Sequence, residues 1–310
     1  MNNIIQIGLL VLGFYVLVKG ADWFVEGTSS IASKFGIPQI IIGLTIVAFG
    51  TSAPEAGVSI SAALKGNADL TVGNILGSNV MNVLFILAIT AIITPLVVQK
   101  CTFRYEIPFV LGVTVLLYFL GADGEIARYE GLILWAFMAA FMIYLVVMSK
   151  SGQIQMEEGE TDNKSSMVKL ILLTFVGGAL IIIGSNLAVD SATELAKAFG
   201  ISDRIIGLTV IAFGTSLPEL VTSVIAATKG KADIAIGNIV GSNIFNILFV
   251  IGASAIITPI AFAPDFLIDC IICMVITVAL WAFILISKKL KRYAGVIMLV
   301  GYAAYFIYII

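Results

Sequence analysis

The 310-residue chain contains no histidine and only three cysteines. Without imidazole it cannot build a histidine zinc site or a histidine proton relay, and three cysteines cannot form a disulfide framework. Charged residues make up only 12% of the chain, whereas a soluble domain carries roughly a quarter. The net charge is -2 and the sequence has no large basic block, so we expect no nucleic-acid partner.

Apolar residues dominate instead, at 60% of the chain, and the mean hydropathy is +1.10. Several apolar runs reach the length of about 20 residues that crosses a bilayer as a helix. The sequence therefore predicts an all-α membrane protein in contact with membrane lipid. Ten transmembrane helices are predicted, near 4–28, 38–64, 69–95, 105–121, 130–149, 167–197, 203–228, 233–257, 266–287 and 293–310.

Two segments of the chain are copies of each other. Residues 38–82 and 202–246 align without a gap, and 26 of the 45 positions are identical. The first copy contains IIGLTIVAFGTSAPE and GNILGSNVMN, and the second contains IIGLTVIAFGTSLPE and GNIVGSNIFN. Because identity is concentrated in polar segments rather than in the apolar runs, the duplication indicates a shared functional site more than a shared packing requirement.

The number of helices determines how the two units are related. With five helices in each, the second unit enters the membrane from the opposite side, so we predict two inverted-topology repeats. The predicted units are 1–149 and 167–310, joined by the polar linker 150–166. Many secondary transporters have this architecture, with the substrate site between the repeats near the bilayer midplane.

The distribution of basic residues predicts the orientation. Twelve Lys and Arg residues fall on the side of the linker and four on the opposite side. Since cytoplasmic loops carry the excess of Lys and Arg, we expect a multi-pass protein of the cell membrane. The linker would be cytoplasmic and both termini would lie outside.

The GTSxPE segment predicts a broken helix in the middle of the membrane. Pro54 has no N–H and would leave the carbonyl of Gly50 without its partner. Free carbonyls at this depth are tolerated only where they line a cavity, and the carboxyl end of a helix attracts a cation. Glu55 follows directly, and a mid-membrane carboxylate is by default a functional hypothesis. The second repeat has the same elements: Gly214, Pro218 and Glu219.

Further oxygen-bearing side chains accompany these carboxylates. Helical spacing places Thr51, Ser52 and Ser59 near Glu55, and a second polar stripe has a spacing of four residues: Asn74, Ser78 and Asn82, with the copies Asn238, Ser242 and Asn246. Helix packing or ligand binding would each explain Asn74, Asn79, Asn238 and Asn243. We assign Asn82 and Asn246 to the site. An all-oxygen site with two carboxylates suits calcium or sodium rather than zinc or copper.

Two aspartates near the polar stripes receive a structural interpretation. Asp69 and Asp233 both follow a KGxA segment at the start of the third helix of their repeat. Aspartate is a preferred N-cap residue, because its carboxylate accepts hydrogen bonds from the first backbone N–H groups of a helix. We therefore predict that both residues are N-caps.

The doubled GTSxPE and GNxxGSNxxN segments resemble the α-repeats of the sodium/calcium exchanger family, within the cation/calcium antiporter superfamily. The resemblance implies an antiporter that exchanges sodium for calcium by alternating access, and not an enzyme. We expect no cofactor and no obligatory protein partner. The resemblance implies the following ligands: the carboxylates of Glu55 and Glu219; the backbone carbonyls of Thr51 and Thr215; one sodium site lined by Ala48, Ser52 and Ser78, and its mirror by Ala212, Ser216 and Ser242; and Asn82 and Asn246 at the middle.

Asn246 is a departure from the family pattern, because many relatives carry Asp there. The substitution leaves the ion ratio and any involvement of potassium or protons open. Proton/calcium exchangers typically carry a GNxxE-type signature in place of GTSxPE, so the motif favours sodium. A cation channel would use the same oxygens, but channels usually build their filter around an axis between subunits. An intramembrane enzyme would need distinct acid and base roles, which two symmetry-related carboxylates do not offer.

Overall fold

The computed structural model describes residues 3–150, 165–200 and 212–309. Most of the predicted linker 150–166 and the start of the predicted helix 203–228 therefore lie outside the described residues. The described helices are α1 Asn3–Phe35, α2 Gln39–Thr51, α3 Ala53–Leu64, α4 Ala68–Ile93, α5 Thr102–Asp123, α6 Arg128–Lys150, α7 Met167–Ala198, α8 Ala212–Thr215, α9 Leu217–Thr228, α10 Ala232–Ile257, α11 Pro264–Ser287 and α12 Arg292–Ile309.

The prediction of an all-α membrane protein is confirmed. Seven of the described helices are long and apolar enough to cross a membrane, and the bent pair α2–α3 would make an eighth. Two shorter apolar helices, α9 and most of α12, fall within the remaining two predicted segments. Because one of those segments begins outside the described residues, the count of ten spans stays a prediction.

Four two-residue strands show how the repeats are arranged: β1 Leu96–Val97, β2 Glu125–Ile126, β3 Ile260–Ala261 and β4 Lys289–Leu290. Strand β1 pairs antiparallel with β4, and β2 pairs antiparallel with β3. At the repeat offset, β1 corresponds to β3 and β2 to β4, so each pair is the copy of the other. The spanning helix α5 separates β1 from β2, which places the two pairs on opposite faces of the membrane, as inverted repeats require.

We call the two ends of the bundle the linker face and the terminus face. The linker face carries the β1–β4 pair and the end of α6, and the terminus face carries the β2–β3 pair. Between them, α4 and α10 are largely buried by other helices, whereas α1, α6 and α7 expose most of their surface. The centre of the bundle is therefore built from the same helix of each repeat.

Helices α1 and α7 pack against each other through glycine. Gly13, Gly20 and Gly27 recur every seven residues on α1, where Gly13 lies against Gly184, Gly20 against Gly177 and Gly27 against Thr174 of α7. A Cβ atom at Gly184 would lie 2.4 Å from the backbone nitrogen of Leu17. The two backbones thus approach as closely as small residues permit, which favours van der Waals packing between membrane helices.

Helix α1 extends beyond its predicted end near residue 28. It continues to Phe35 and stops at Gly36, which has a φ of +63°. The backbone N–H of Ile37 donates to the carbonyl of Ala32 at 2.8 Å, so the helix ends in a glycine C-cap of the Schellman type. Thr28, Ser29 and Ala32 near this end of the helix are buried.

The prediction that Asp69 and Asp233 are N-caps is wrong. Helix α4 begins at Ala68, and the side chain of Asn67 accepts a hydrogen bond from the backbone nitrogen of Leu70 at 3.0 Å. Helix α10 begins at Ala232, with Lys231 at the cap position. Both helices start one residue earlier than expected, so the aspartates lie inside the first turn, where the helix dipole favours negative charge.

The glycine packing yields a stability prediction. We expect Gly184→Ala to destabilise the purified protein by about 1–3 kcal/mol, because an inserted methyl group in a closely packed contact forces the helices apart. Thermal unfolding in detergent would measure the change. Gly8→Ala is the matched control on α1, because a Cβ atom there would meet nothing within 4 Å. Equal melting temperatures for the two variants would contradict the prediction.

Candidate cation-binding site

The first repeat contains the predicted break in mid-membrane. Helices α2 and α3 meet at an angle of 51°, and Ser52 between them has φ -81° and ψ 6°. Ser216 has nearly the same conformation, φ -89° and ψ 5°, between α8 and α9. Pro54 and Pro218 each lie in the first turn of the helix after the break, where the missing N–H is tolerated. The prediction of a break is confirmed.

The breaks place both glutamates in the interior. Glu55 lies in the first turn of α3 and Glu219 in the first turn of α9, and each side chain is 1% exposed. The partial positive charge of the helix amino terminus stabilises a carboxylate at this position. The sequence predicts that Glu55 and Glu219 lie near each other, and both are buried at corresponding breaks of the two repeats.

Hydrogen bonds cross from each break to the carboxylate of the other repeat. The hydroxyl of Ser216 donates to Oε1 of Glu55 at 3.0 Å. The hydroxyl of Ser52 donates to Oε1 of Glu219 at 2.9 Å. The two broken helices therefore face each other, and each carboxylate has one oxygen held and one oxygen left over.

A second set of crossed bonds orients four asparagines. The amide nitrogen of Asn82 donates to Oδ1 of Asn243 at 2.9 Å, and that of Asn246 donates to Oδ1 of Asn79 at 3.1 Å. Asn79 and Asn243 also donate to each other's backbone carbonyls at 3.3 Å. Wider π-helical turns begin at Asn82 and Asn246. These bonds leave the amide oxygens of Asn82 and Asn246 as the free ends of the network.

Four buried oxygen atoms in this region have no hydrogen-bond partner: Oε2 of Glu55, Oε2 of Glu219, Oδ1 of Asn82 and Oδ1 of Asn246. Buried polar atoms almost always have a partner. All four atoms are acceptors, two from each repeat and related by the repeat offset. Buried oxygen acceptors without a donor are what a hard metal cation satisfies.

The predicted serines are brought together, but in a different grouping. The hydroxyl of Ser52 lies 2.9 Å from that of Ser242, and the hydroxyl of Ser216 lies 3.4 Å from that of Ser78. The family resemblance grouped Ser52 with Ser78 and Ser216 with Ser242. The grouping changes because each broken helix packs against the third helix of the opposite repeat: Gly241, next to Ser242, lies against Ala48.

The remaining predicted residues are placed as follows. The hydroxyl of Thr51 donates to Oδ1 of Asn238 at 2.9 Å, so its side chain points to α10. Thr215 is the last residue of α8 and lies beside Glu55. Ala212 is the first residue of α8, and residues 201–211 before it lie outside the described residues.

An outer layer of amides supports the site. Asn74 donates to the hydroxyl of Ser59 at 2.9 Å, and Asn238 donates to that of Ser223 at 3.0 Å. The positioning role of Asn79 and Asn243 was not resolved from sequence, where packing and ligand binding explained them equally. The only signal in the sequence was that asparagine occupies both positions at the repeat offset.

The charge of the site comes from two carboxylates alone. Within the described chain, the ion pairs of Lys and Arg involve other acidic residues, and no group of three or more Asp, Glu, Cys or His side chains lies together. With both glutamates ionised the site carries -2, which one calcium ion neutralises. Oxygen donors of this kind select hard cations and not zinc or copper.

Comparison with protein families matches this architecture. The family model described as sodium/calcium exchanger protein matches residues 5–147 and 169–310 of this chain. The chain belongs to the sodium/calcium exchanger family. The family resemblance inferred from the GTSxPE and GNxxGSNxxN segments is thus confirmed, and the chain is placed among transporters rather than enzymes.

Members of the family match over nearly the whole chain. The inner membrane protein YrbG of Escherichia coli (strain K12) is 36% identical over 306 residues, covering 95% of this chain and 93% of its own. The sodium/calcium exchanger MaX1 of Methanosarcina acetivorans is 31% identical, covering 96% and 97%. A solved structure of the sodium-calcium exchanger NCX_Mj superposes with a TM-score of 0.85 at 31% identity, covering 97% and 98%.

The asparagine network yields a prediction about affinity. We expect Asn243→Ala to weaken calcium binding about 10- to 100-fold, the usual effect of removing a group that orients a ligand, because the amide of Asn82 would lose its partner. Asn79→Ala should have a similar effect, since its bonds are the copies. Calorimetric titration of the purified protein with calcium would measure both. Asn67→Ala, at an exposed helix start, is the control, and an unchanged affinity in Asn243→Ala would contradict the role.

Proposed function

We propose that the protein is an antiporter that exchanges sodium for calcium across the membrane at one all-oxygen site in mid-membrane. The observation that carries this proposal is the set of four buried, unpartnered acceptor oxygens on Glu55, Glu219, Asn82 and Asn246. Membership of the exchanger family, the relative named as a sodium/calcium exchanger and the match to NCX_Mj support it.

The geometry supports the following ligand roles. Glu55 and Glu219 would be shared by calcium and sodium, with Asn82 and Asn246 between them. One sodium position would lie next to Glu219 and the other next to Glu55. The first would be lined by Ala48, Ser52, Ser242 and the carbonyl of Thr51, and the second by Ala212, Ser216, Ser78 and the carbonyl of Thr215. The crossed serine bonds support these two groups.

Competition for the two carboxylates makes the exchange obligatory. Calcium needs both Glu55 and Glu219 for neutrality, and sodium ions that occupy the flanking positions need the same oxygens. An empty site with two buried negative charges is costly to seal from water. Only a loaded site would therefore be occluded and presented to the other side, with the glycine-packed pair α1–α7 as the part that moves against the bundle.

Orientation in the membrane is part of the proposal. The excess of Lys and Arg at the linker face favours a cytoplasmic location for that face and an outside location for both termini. Sodium running inward would then drive calcium outward. A proton-driven or potassium-dependent exchange is the alternative for the coupling ion, and a cation channel is the alternative for the transport class.

The flux experiment separates these possibilities. We expect radioactive calcium uptake into proteoliposomes to require an imposed sodium gradient, and Glu55→Gln or Glu219→Gln to reduce it at least about 100-fold, because one lost carboxylate leaves calcium incompletely neutralised in a low dielectric. Glu125→Gln, at an exposed position of β2, is the control. Uptake that persists when the sodium gradient is collapsed would support a channel, and uptake driven only by potassium or proton gradients would identify a different counter-ion.

The neutral residue at position 246 yields a prediction about voltage. With a site charge of -2, the calcium-loaded carrier has no net charge in its site, so calcium–calcium exchange should not respond to membrane potential. We expect Asn246→Asp to make it change at least about twofold over 100 mV, because a charge that crosses the field is worth about 2.3 kcal/mol. Asn246→Ala is the control for loss of the amide. Voltage-sensitive exchange in the unmodified protein would contradict this charge balance.

A further inference from the structure

Helix α7 reaches the break of the second repeat with a hydrogen bond. The hydroxyl of Ser185 donates to the backbone carbonyl of Gly214 at 3.1 Å, and Ser185 is 2% exposed. Gly214 is the third residue of α8, and Pro218 follows it by four positions. In an unbroken helix the residue at position 218 would donate its N–H to this carbonyl, but proline has none. Ser185 therefore supplies the donor that the break removes.

The hydroxyl of Ser185 bonds outside its own helix. A serine or threonine inside a helix often donates to the carbonyl four residues before it. Thr28 of α1 and Thr174 of α7 both do so, at 2.6 Å and 3.0 Å. Ser185 instead bonds to a residue 29 positions away, so its contact joins two separate helices.

Close packing accompanies this hydrogen bond. Val189 lies one turn after Ser185 on α7 and packs against Gly214, where a Cβ atom would be 2.3 Å from Cγ2 of the valine. A side chain at position 214 would therefore push α7 away and break the bond from Ser185. The glycine and the serine together fix α7 against the carboxyl-terminal end of α8.

The first repeat holds its break in a different way. At the repeat offset, Ser185 corresponds to Ala21, which has no hydroxyl. The copy of Gly214 is Gly50, and the ring of Phe24 on α1 lies against it, with Cζ 3.0 Å from the position of a Cβ atom. Helix α7 has alanine where α1 has this phenylalanine. Each break is thus contacted by the first helix of its own repeat, through an aromatic ring in one and a hydrogen bond in the other.

The carbonyl that Ser185 holds is next to groups of the candidate site. Thr215 follows Gly214 directly, and Ser216 comes next, with its hydroxyl donating to Oε1 of Glu55 at 3.0 Å. Because the peptide unit is planar, fixing the carbonyl of Gly214 also fixes the plane through which Thr215 is attached. The orientation of both following residues therefore depends on the bond from α7.

We propose that Ser185 is a positioning residue of the cation site, which fixes the second break to α7 and thereby orients Thr215 and Ser216. The inference rests on the proposed function, in which the carbonyl of Thr215 and the hydroxyl of Ser216 line the ion position next to Glu55. The α1–α7 pair moves in that function, and the bond makes this half of the site follow α7.

Equilibrium dialysis of the purified full chain with radioactive calcium tests this role. We expect Ser185→Ala to weaken calcium binding about tenfold, the effect of removing a group that orients a ligand. Ser191→Ala is the matched control, because Ser191 is also on α7 and 2% exposed but lies on another face of the helix. We expect this control to leave the affinity unchanged. Ser185→Thr keeps the hydroxyl and should restore most of the affinity.

Two results would show that Ser185 has no positioning role. One is a lower melting temperature in Ser185→Ala with an unchanged calcium affinity, which is what a contribution to stability alone would produce. The other is a loss of affinity that Ser191→Ala shares or that Ser185→Thr does not restore. If Ser185→Ala does not fold, Ser185→Cys decides, because cysteine has nearly the same size and is a weaker donor. Unchanged affinity in that variant would also overturn the proposal.

The unmodified protein separates this inference from the proposed function. If the unmodified protein binds no calcium, the proposed function fails and the inference fails with it. If the unmodified protein binds calcium and Ser185→Ala binds it equally well, only the inference fails. The readout is binding and not flux, so the result does not depend on which ion drives the exchange.

Discussion

Two negative charges buried at the centre of an apolar bundle set the requirements that the rest of the structure meets. A carboxylate in mid-membrane is costly unless donors and an ion surround it. Here Glu55 and Glu219 lie at the amino-terminal ends of half-helices. Each accepts a hydrogen bond from a serine hydroxyl of the opposite repeat. The broken helices, the crossed serines and the asparagine bridges all serve to hold these two groups with one oxygen each turned to a shared ligand.

The inverted duplication makes this arrangement possible within one chain. A single repeat supplies one carboxylate, one break and half of the asparagine bridge. The same contacts then occur twice, and the strand pairs β1–β4 and β2–β3 tie each repeat to the other at both faces. Because each half of the site borrows its hydrogen-bond donors from the other repeat, neither half is complete alone, and a movement of one repeat changes the coordination of both carboxylates.

The two faces nevertheless differ. At the linker face Lys229 lies 2.5 Å from Asp22 of α1 and contacts Glu26. The equivalent position, Lys65 at the terminus face, forms no ion pair among the described residues. Asp233 is likewise buried at the linker face, whereas the equivalent Asp69 at the terminus face is exposed. Differences of this kind distinguish the two sides of a symmetric carrier, because the duplicated core by itself treats both directions alike.

The sequence by itself determined the class of protein, the duplication and the break at Pro54, and it proposed the oxygen donors. These features can be read from the chain itself. They are the length of the apolar runs, the constant offset between two copies, the missing N–H of proline and a carboxylate within an apolar segment. The family comparison agrees with the class of protein and the duplication, and the structure agrees with the break. A long polar motif that occurs twice also identifies the exchanger family, since few other requirements would conserve it between two halves of one chain.

Only the tertiary structure decided which groups meet. Ser52 faces Ser242 and Glu219, and not Ser78, because the broken helix of one repeat crosses the third helix of the other. The bridging role of Asn79 and Asn243 has the same origin. Contacts between residues more than a hundred positions apart depend on helix crossing geometry, which a local pattern does not contain.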